Sequence, residues 1–258
     1  MFLSVYTLWL REVVRFYRQR SRIIGALGSP IVFWFLIGSG LGRSFRAAPG
    51  VALRGGYLEY FYPGTLALIV LFTAIFSTIS IIEDRQEGFL QGVLAAPVPR
   101  IAIVFGKILG GTTLATLQAL IFLALAPLTH VSVRLGALPA LTGVLIAIAF
   151  GLTGLGFLIA WHLDSTQGFH AIMNLFLIPM WILSGALFPA YGAAGWVRGL
   201  MLINPLTYGV AALRTVFYGA TDPLPGDPGL ALSLTVVGAF AGAMLVASTL
   251  SVRWKRSA

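Results

Sequence analysis

Cysteine is absent from all 258 residues. That removes disulfides, thiolate-bound zinc and a thiol nucleophile, and it leaves the redox compartment unmarked. Charge is nearly as scarce: Asp, Glu, Lys and Arg make up 10% of the chain, with 8 acidic residues against 17 basic ones. At 58% hydrophobic residues and a mean hydropathy of +0.92, the apolar surface exceeds what one water-soluble core can hide, so the chain reads as a membrane protein. The net charge of +9 is scattered between apolar runs. It forms no stripe that could follow a phosphate backbone, which argues against nucleic acid.

Other devices are missing too. A phosphate-binding loop needs glycine ahead of Gly-Lys and a hydroxyl after it. Here the Gly106-Lys107 pair is followed by Ile108, and position 101 is Ile. Energy for any driven process is therefore expected from another chain. No apolar run carries an ionisable group at its middle, as an ion-driven carrier wants. The first 22 residues place positive charge after an apolar start, without a small-residue cleavage site, and so do not read as a removable signal.

What the sequence does have is six stretches near the 20 apolar residues that a bilayer core demands: 23–42, 62–82, 106–128, 138–161, 169–189 and 230–252. With both termini placed in the cytoplasm, eleven Lys and Arg residues fall inside, and six (Arg43, Arg46, Arg54, Arg134, Arg198, Arg214) fall outside. That is the orientation the positive-inside bias favours. A further apolar stretch, 195–219, is divided by Asn204-Pro205 into pieces too short to cross. It is expected to form two short helices that dip into the outer leaflet and return, within an external region 190–229.

Residues 1–22 predict an amphipathic interfacial helix. Phe2, Tyr6, Trp9, Val13 and Tyr17 recur on one face, and Arg11, Arg15, Arg18 and Arg22 on the other, turned toward anionic lipid. A plain basic flank of the first span is the simpler alternative. The loop 83–97 opens on four charges in five positions (Glu83, Asp84, Arg85, Glu87), continues with Phe89, Leu90, Val93 and Leu94 on one helical side, and stops at Pro97 and Pro99. Such a surface helix suits a docking peg for a soluble partner; an ordinary capped loop suits the pattern equally.

Side chains at membrane depth are mild. Gln118 and Asn174 are the most polar, and Phe33, Phe72, Phe76 and Trp181 offer aromatic surface. Each is a candidate for a substrate pathway, against the simpler use of bonding or packing between helices. The small-residue faces Gly238/Gly242 and Gly151/Gly154/Gly156 read as close helix contacts. An enzyme is the rival class, because His162, Asp164, Ser165 and His170 gather within ten residues. Consecutive spacing is poor geometry for a nucleophilic triad, and a polar loop between spans suffices. No catalytic residue and no metal site are expected.

Two segments carry a resemblance. "EDRQEGFLQGVLAAPVPRIAIVFGK" (83–107) and "SGALFPAYGAAGWVRGLMLINPLTYGVAALR" (184–214) resemble the signature segments of the membrane subunits of type-2 ATP-binding-cassette exporters. The resemblance implies one all-helical permease domain over 1–258, with six transmembrane helices, in the cytoplasmic membrane. It implies a homodimer or heterodimer bound to separate ATPase subunits that hold ATP and magnesium, with no cofactor in this chain. It assigns coupling to Glu83, Asp84, Arg85, Glu87, Gly88 and Phe89, and a re-entrant turn to Asn204 and Pro205. Phe89 stands where the family often has a small polar residue, which makes a more apolar peg. The apolar lining favours export of an amphipathic or lipophilic molecule, drug-like or lipid-linked, ahead of a polysaccharide or lipo-oligosaccharide.

Overall fold

The computed structural model describes residues 1–18, 20–41, 56–129, 131, 133–219 and 226–254. Arg43, Arg46 and Arg54, which entered the charge count, lie outside the described residues, as do 220–225 of the expected re-entrant region and the terminal segment 255–258. Among the described residues every regular element is helical. Helix α1 (Phe2–Arg18) leads to α2 (Arg20–Leu41). Helix α3 (Gly56–Ser77) is continued past Thr78 by α4 (Ile79–Gln86), and α5 (Phe89–Ala95) precedes α6 (Arg100–Ala124). Then follow α7 (Leu138–His162), α8 (Thr166–Trp181), α9 (Gly195–Ile203), α10 (Pro205–Tyr218) and α11 (Leu230–Trp254).

Among the described residues five helical stretches are long and apolar enough to cross a bilayer: α3 with α4, α6, α7 with its short lead-in, α8 extended to Ala186, and α11. The five later expected spans each fall on one of them. The first falls on α2, of 22 residues, whose Pro30–Gly40 part is a shorter apolar helix. Helices dominate because hydrocarbon offers no partner for a free backbone group. Hydroxyls within the spans obey the same constraint: Thr112, Thr113 and Thr153 donate to the carbonyls of Ile108, Leu109 and Ala149, four residues back.

Helix α3 is the core. Nearly every residue from Tyr60 to Ile75 is buried, which is why it reads as apolar all round rather than as a stripe. Close approaches at glycine let its neighbours in. A Cβ at Gly64 would stand 2.8 Å from that of Ala186, and one at Gly154 of α7 would stand 2.9 Å from the Cβ of Met244 on α11. The expected face Gly238/Gly242 differs: no atom lies within 4 Å of a Cβ at either position, so α11 leaves that face open on the single chain.

The stretch 195–219 is broken as expected, with α9 and α10 meeting at 86°. Asn204 caps α10 by accepting from Leu206 N–H at 3.0 Å, and Pro205, which has no N–H to lose, begins the helix. The opposite face of the turn meets a second break. Helix α8 contains Pro179 and runs into a π turn, Ile182–Ala186, that includes Gly185 at φ +79°. Carbonyls there find side chains: Asn204 Nδ2 donates to Met180 O at 2.6 Å and Thr207 Oγ1 to Leu183 O at 3.2 Å. Tyr60 Oη and Arg214 Nη2 donate to Gly185 O at 2.8 and 2.9 Å. Arg214 also donates to Asp227 at 2.5 Å and lies over the Tyr60 ring.

Asn204→Ala removes one cap and the amide that satisfies the Met180 carbonyl, and should cost about 2 kcal/mol. A lowered thermal-unfolding midpoint of the detergent-purified chain checks this. An unchanged midpoint would remove the turn from the interactions that hold α8 in place.

Candidate functional site

The charges of 83–87 do not stand free at the surface. Asp84 is fully buried and receives three cations. Arg11 grips it with both Nη atoms at 2.8 and 2.6 Å, Arg15 Nη1 lies at 2.8 Å, and Lys107 Nζ lies at 2.5 Å. Arg15 reaches on to Glu83 at 2.7 Å and to Glu87 at 3.6 Å. Lys107 also donates to Glu12 at 2.6 Å and to Ser80 at 3.0 Å, and Ser80 donates to Glu12 at 2.7 Å. The hydrogen bond to Asp84 holds the Arg11 guanidinium above its ordinary pKa.

This hub corrects the expected orientation of the N-terminal helix. Arg11 and Arg15 turn to protein carboxylates rather than to lipid headgroups, because Asp84 and Glu83 offer fixed partners in a low-dielectric setting. The buried face of α1 is Leu8, Glu12 and Phe16, while Phe2, Tyr6 and Tyr17 stay exposed. Helix α6 admits α1 at two glycines: a Cβ at Gly106 would stand 2.6 Å from that of Leu8, and one at Gly110 would stand 2.7 Å from that of Glu12. Trp9 Nε1 closes the contact by donating to Thr113 at 3.0 Å. Lys107, at the start of the expected run 106–128, stands seven residues into α6, about 10 Å along its axis, because the helix begins earlier, at Arg100.

Arg85 holds a different neighbour. Its guanidinium donates to the Trp161 and Leu163 carbonyls at 2.7 and 3.0 Å and to Asp164 at 2.7 Å. A cation thus satisfies the free carbonyls at the end of α7. Gly88, at φ +79°, turns the chain between α4 and α5, and Pro99 precedes α6 as the prolines predicted. The apolar ridge of α5 is divided: Leu90 is buried, and the Phe89 ring lies 3.7 Å under Arg11. Glu87, Gly88, Gln91, Gly92 and Leu94 are the exposed rim.

The pathway candidates separate. Gln118 is buried, accepts from Thr73 at 2.5 Å and keeps Nε2 without a partner. Trp181 is buried and donates to Gly64 O at 2.9 Å. Both stand inside the chain rather than on a face. Phe33 and Asn174 are exposed, and Phe72 and Phe76 half-exposed. Phe76 lies between Phe72 and His170, ring centres 5.7 and 5.1 Å away. The grouping 162–170 disperses: His162 meets the Leu158 carbonyl, Asp164 meets Arg85, Ser165 caps α8, and His170 meets Phe76. Sequence reasoning passed over Glu12 and Ser80, and Glu12 had left a signal as a lone acid one turn from Leu8 and Phe16.

Residues 4–218 match the family described as ABC-2 type transporter. The chain is similar to transport permease ycf38 of Cyanophora paradoxa, 24% identical over 223 residues, which cover 83% of this chain and 74% of that one. It is similar to nodulation protein J of Rhizobium leguminosarum bv. viciae, 26% identical over 225 residues, covering 84% and 83%. It is also similar to the multidrug ABC transporter permease YbhR of Escherichia coli K12, 26% identical over 153 residues, covering 59% and 42%.

Lys107→Met leaves Glu12 and Asp84 buried short of one cation and should cost about 3 kcal/mol. Adding Glu12→Leu should recover part of that loss. Thermal unfolding of the wild type, the two single variants and the double variant in detergent measures the coupling, and strictly additive losses would show that the two side chains act independently.

Proposed function

The chain belongs to the ABC-2 type transporter family, and on that premise we propose that it is the membrane permease subunit of an ATP-driven exporter. It works as a dimer in the cytoplasmic membrane, with both termini inside and α2 as the sixth span. Separate ATPase subunits bind ATP and magnesium. The cargo is an amphipathic or lipophilic molecule, drug-like or lipid-linked, which spans so poor in charge suit better than a polysaccharide or lipo-oligosaccharide.

One observation carries this reading: the loop 83–95 is tied by ions to three helices, while its rim stays exposed. Glu83, Asp84 and Arg85 form the root, Phe89 is clamped under Arg11, and Glu87, Gly88, Gln91 and Leu94 face outward. A partner that pushes on the rim pushes on α1, α6 and α7 together. In this mechanism closure of the ATPase pair displaces α5, the root transmits the displacement, and the dimer seam opens. The chain itself makes and breaks no covalent bond.

The rim and the root can be tested apart. Gly92→Lys combined with Leu94→Asp should abolish co-elution with a co-expressed ATPase subunit and stop export, with thermal stability unchanged. Assembly and export at wild-type levels in that double variant would sink the docking assignment. For topology, single cysteines at Ala220 and Ala258 discriminate because the native chain has none. An impermeant reagent on intact cells should label position 220 and spare 258, and the reverse pattern would overturn the orientation.

A further inference from the structure

One buried ion pair takes no part in the root of the loop. Arg214 of α10 and Asp227, in the turn before α11, meet at 2.5 Å with side chains 3% and 8% exposed. The pair lies toward the opposite end of α3 from the ionic root, against Tyr60 and the break in α8. Apolar side chains of similar volume often stabilise a core as well as a buried ion pair does, so stability alone gives little reason for this one. What an ion pair adds is a contact that is made or lost as a unit.

The two partners are held unequally. Arg214 belongs to a packed helix, where Nη2 donates to Gly185 O at 2.9 Å and the guanidinium stands 4.4 Å from the centre of the Tyr60 ring. Asp227 belongs to the short segment 226–229, which lies outside any helix. Gly226, at φ +86°, lays this strap on the turn Ala190–Gly192: a Cβ there would stand 3.1 Å from Tyr191 N and 3.4 Å from the Ala190 Cβ. Two features ease release. A continued α-helix would offer the Gly185 carbonyl the N–H of residue 189, which is proline and has none. That carbonyl depends on side chains instead, and Tyr60 Oη still donates to it when Arg214 shifts. Arg214 Nε, meanwhile, is buried without a hydrogen-bond partner among the described residues, a cost of the closed form that entering water would remove.

We propose that Asp227 and Arg214 form a latch: the strap 226–229 covers the break in α8 while the pair is made, and lifts when transport opens that end of the dimer seam. The proposal rests on the permease reading and adds to it the contact that must part.

Ala190, 5% exposed beneath Gly226, reports the strap once changed to cysteine. The full Ala190→Cys chain in lipid nanodiscs, where both faces are open to reagent, is treated with a fluorescent maleimide. Labelling should be slow. Asp227→Asn should speed it about ten- to a hundredfold, the strength of a charged hydrogen bond read as an opening equilibrium, and Asp227→Glu should restore most of the protection. In complex with a co-expressed ATPase subunit, the chain with Asp227 intact should label faster once ATP and orthovanadate are added. Labelling equally slow in Asp227→Asn overturns the latch, as does labelling unmoved by nucleotide in a complex that hydrolyses ATP, which would make the pair a fixed brace. Equal acceleration by Asp227→Asn at Ala74→Cys, in the buried core of α3, would assign the pair to global stability and overturn it too. The Asp227→Asn comparison needs no ATPase. Failure of the unaltered chain to co-purify with one would instead overturn the permease reading.

Discussion

The buried ion pair between Lys107 and Asp84 is the constraint on which one end of the molecule depends. Neither charge could stay there alone, since an uncompensated ion in low dielectric costs several kcal/mol. Their attraction would not suffice without the groups around them. Arg11, Arg15, Glu12 and Glu83 bring the set to three cations and three carboxylates, and Ser80 bonds to both Lys107 and Glu12. The set is made of three chain segments, with Glu87, 3.6 Å from Arg15, as a fourth carboxylate at its edge. No one of α1, α4 and α6 can leave without stranding charge on the other two.

The far end is held by different means. There α8 breaks, and the loosened carbonyls are met by Tyr60 of α3, Thr207 and Arg214 of α10, and Asn204 in the turn before α10. Helix α3 with its continuation α4 touches both ends, Tyr60 at one and Asp84 at the other. At 1.5 Å per residue their separation is about 36 Å. A buried rod anchored by side chains at both ends suits the passage of a displacement from the rim of α5 to the turn at Asn204.

The spans were legible because lipid leaves the backbone no alternative to helix, so apolar length alone located them. The break at Asn204-Pro205 was legible for a local reason, a cap residue followed by a residue that cannot donate. The contacts of α1 were not legible in the same way. Alternation of aromatics and arginines defines two faces but says nothing of what each meets, and headgroups and carboxylates attract a guanidinium alike. The glycines at 106 and 110, one turn apart and flanking Lys107, were the sign that a helix lies across α6. Gln118 and Asn174 look equivalent as letters in apolar runs. Only packing tells that the first is buried against Thr73 of α3 and the second is exposed.

The hub also imposes an order on synthesis. Glu12, Arg11 and Arg15 leave the ribosome before their partners on α4 and α6 are made, and Lys107 follows Glu12 by 95 residues. At elongation rates of about 5–20 residues per second, that is a wait of roughly 5–20 seconds. Throughout it the charged face of α1 must remain in water or among headgroups. Closure of the hub belongs to the moment when α6 enters the bilayer, and Lys107 can come to rest some 10 Å along that helix because its counter-charges are already waiting.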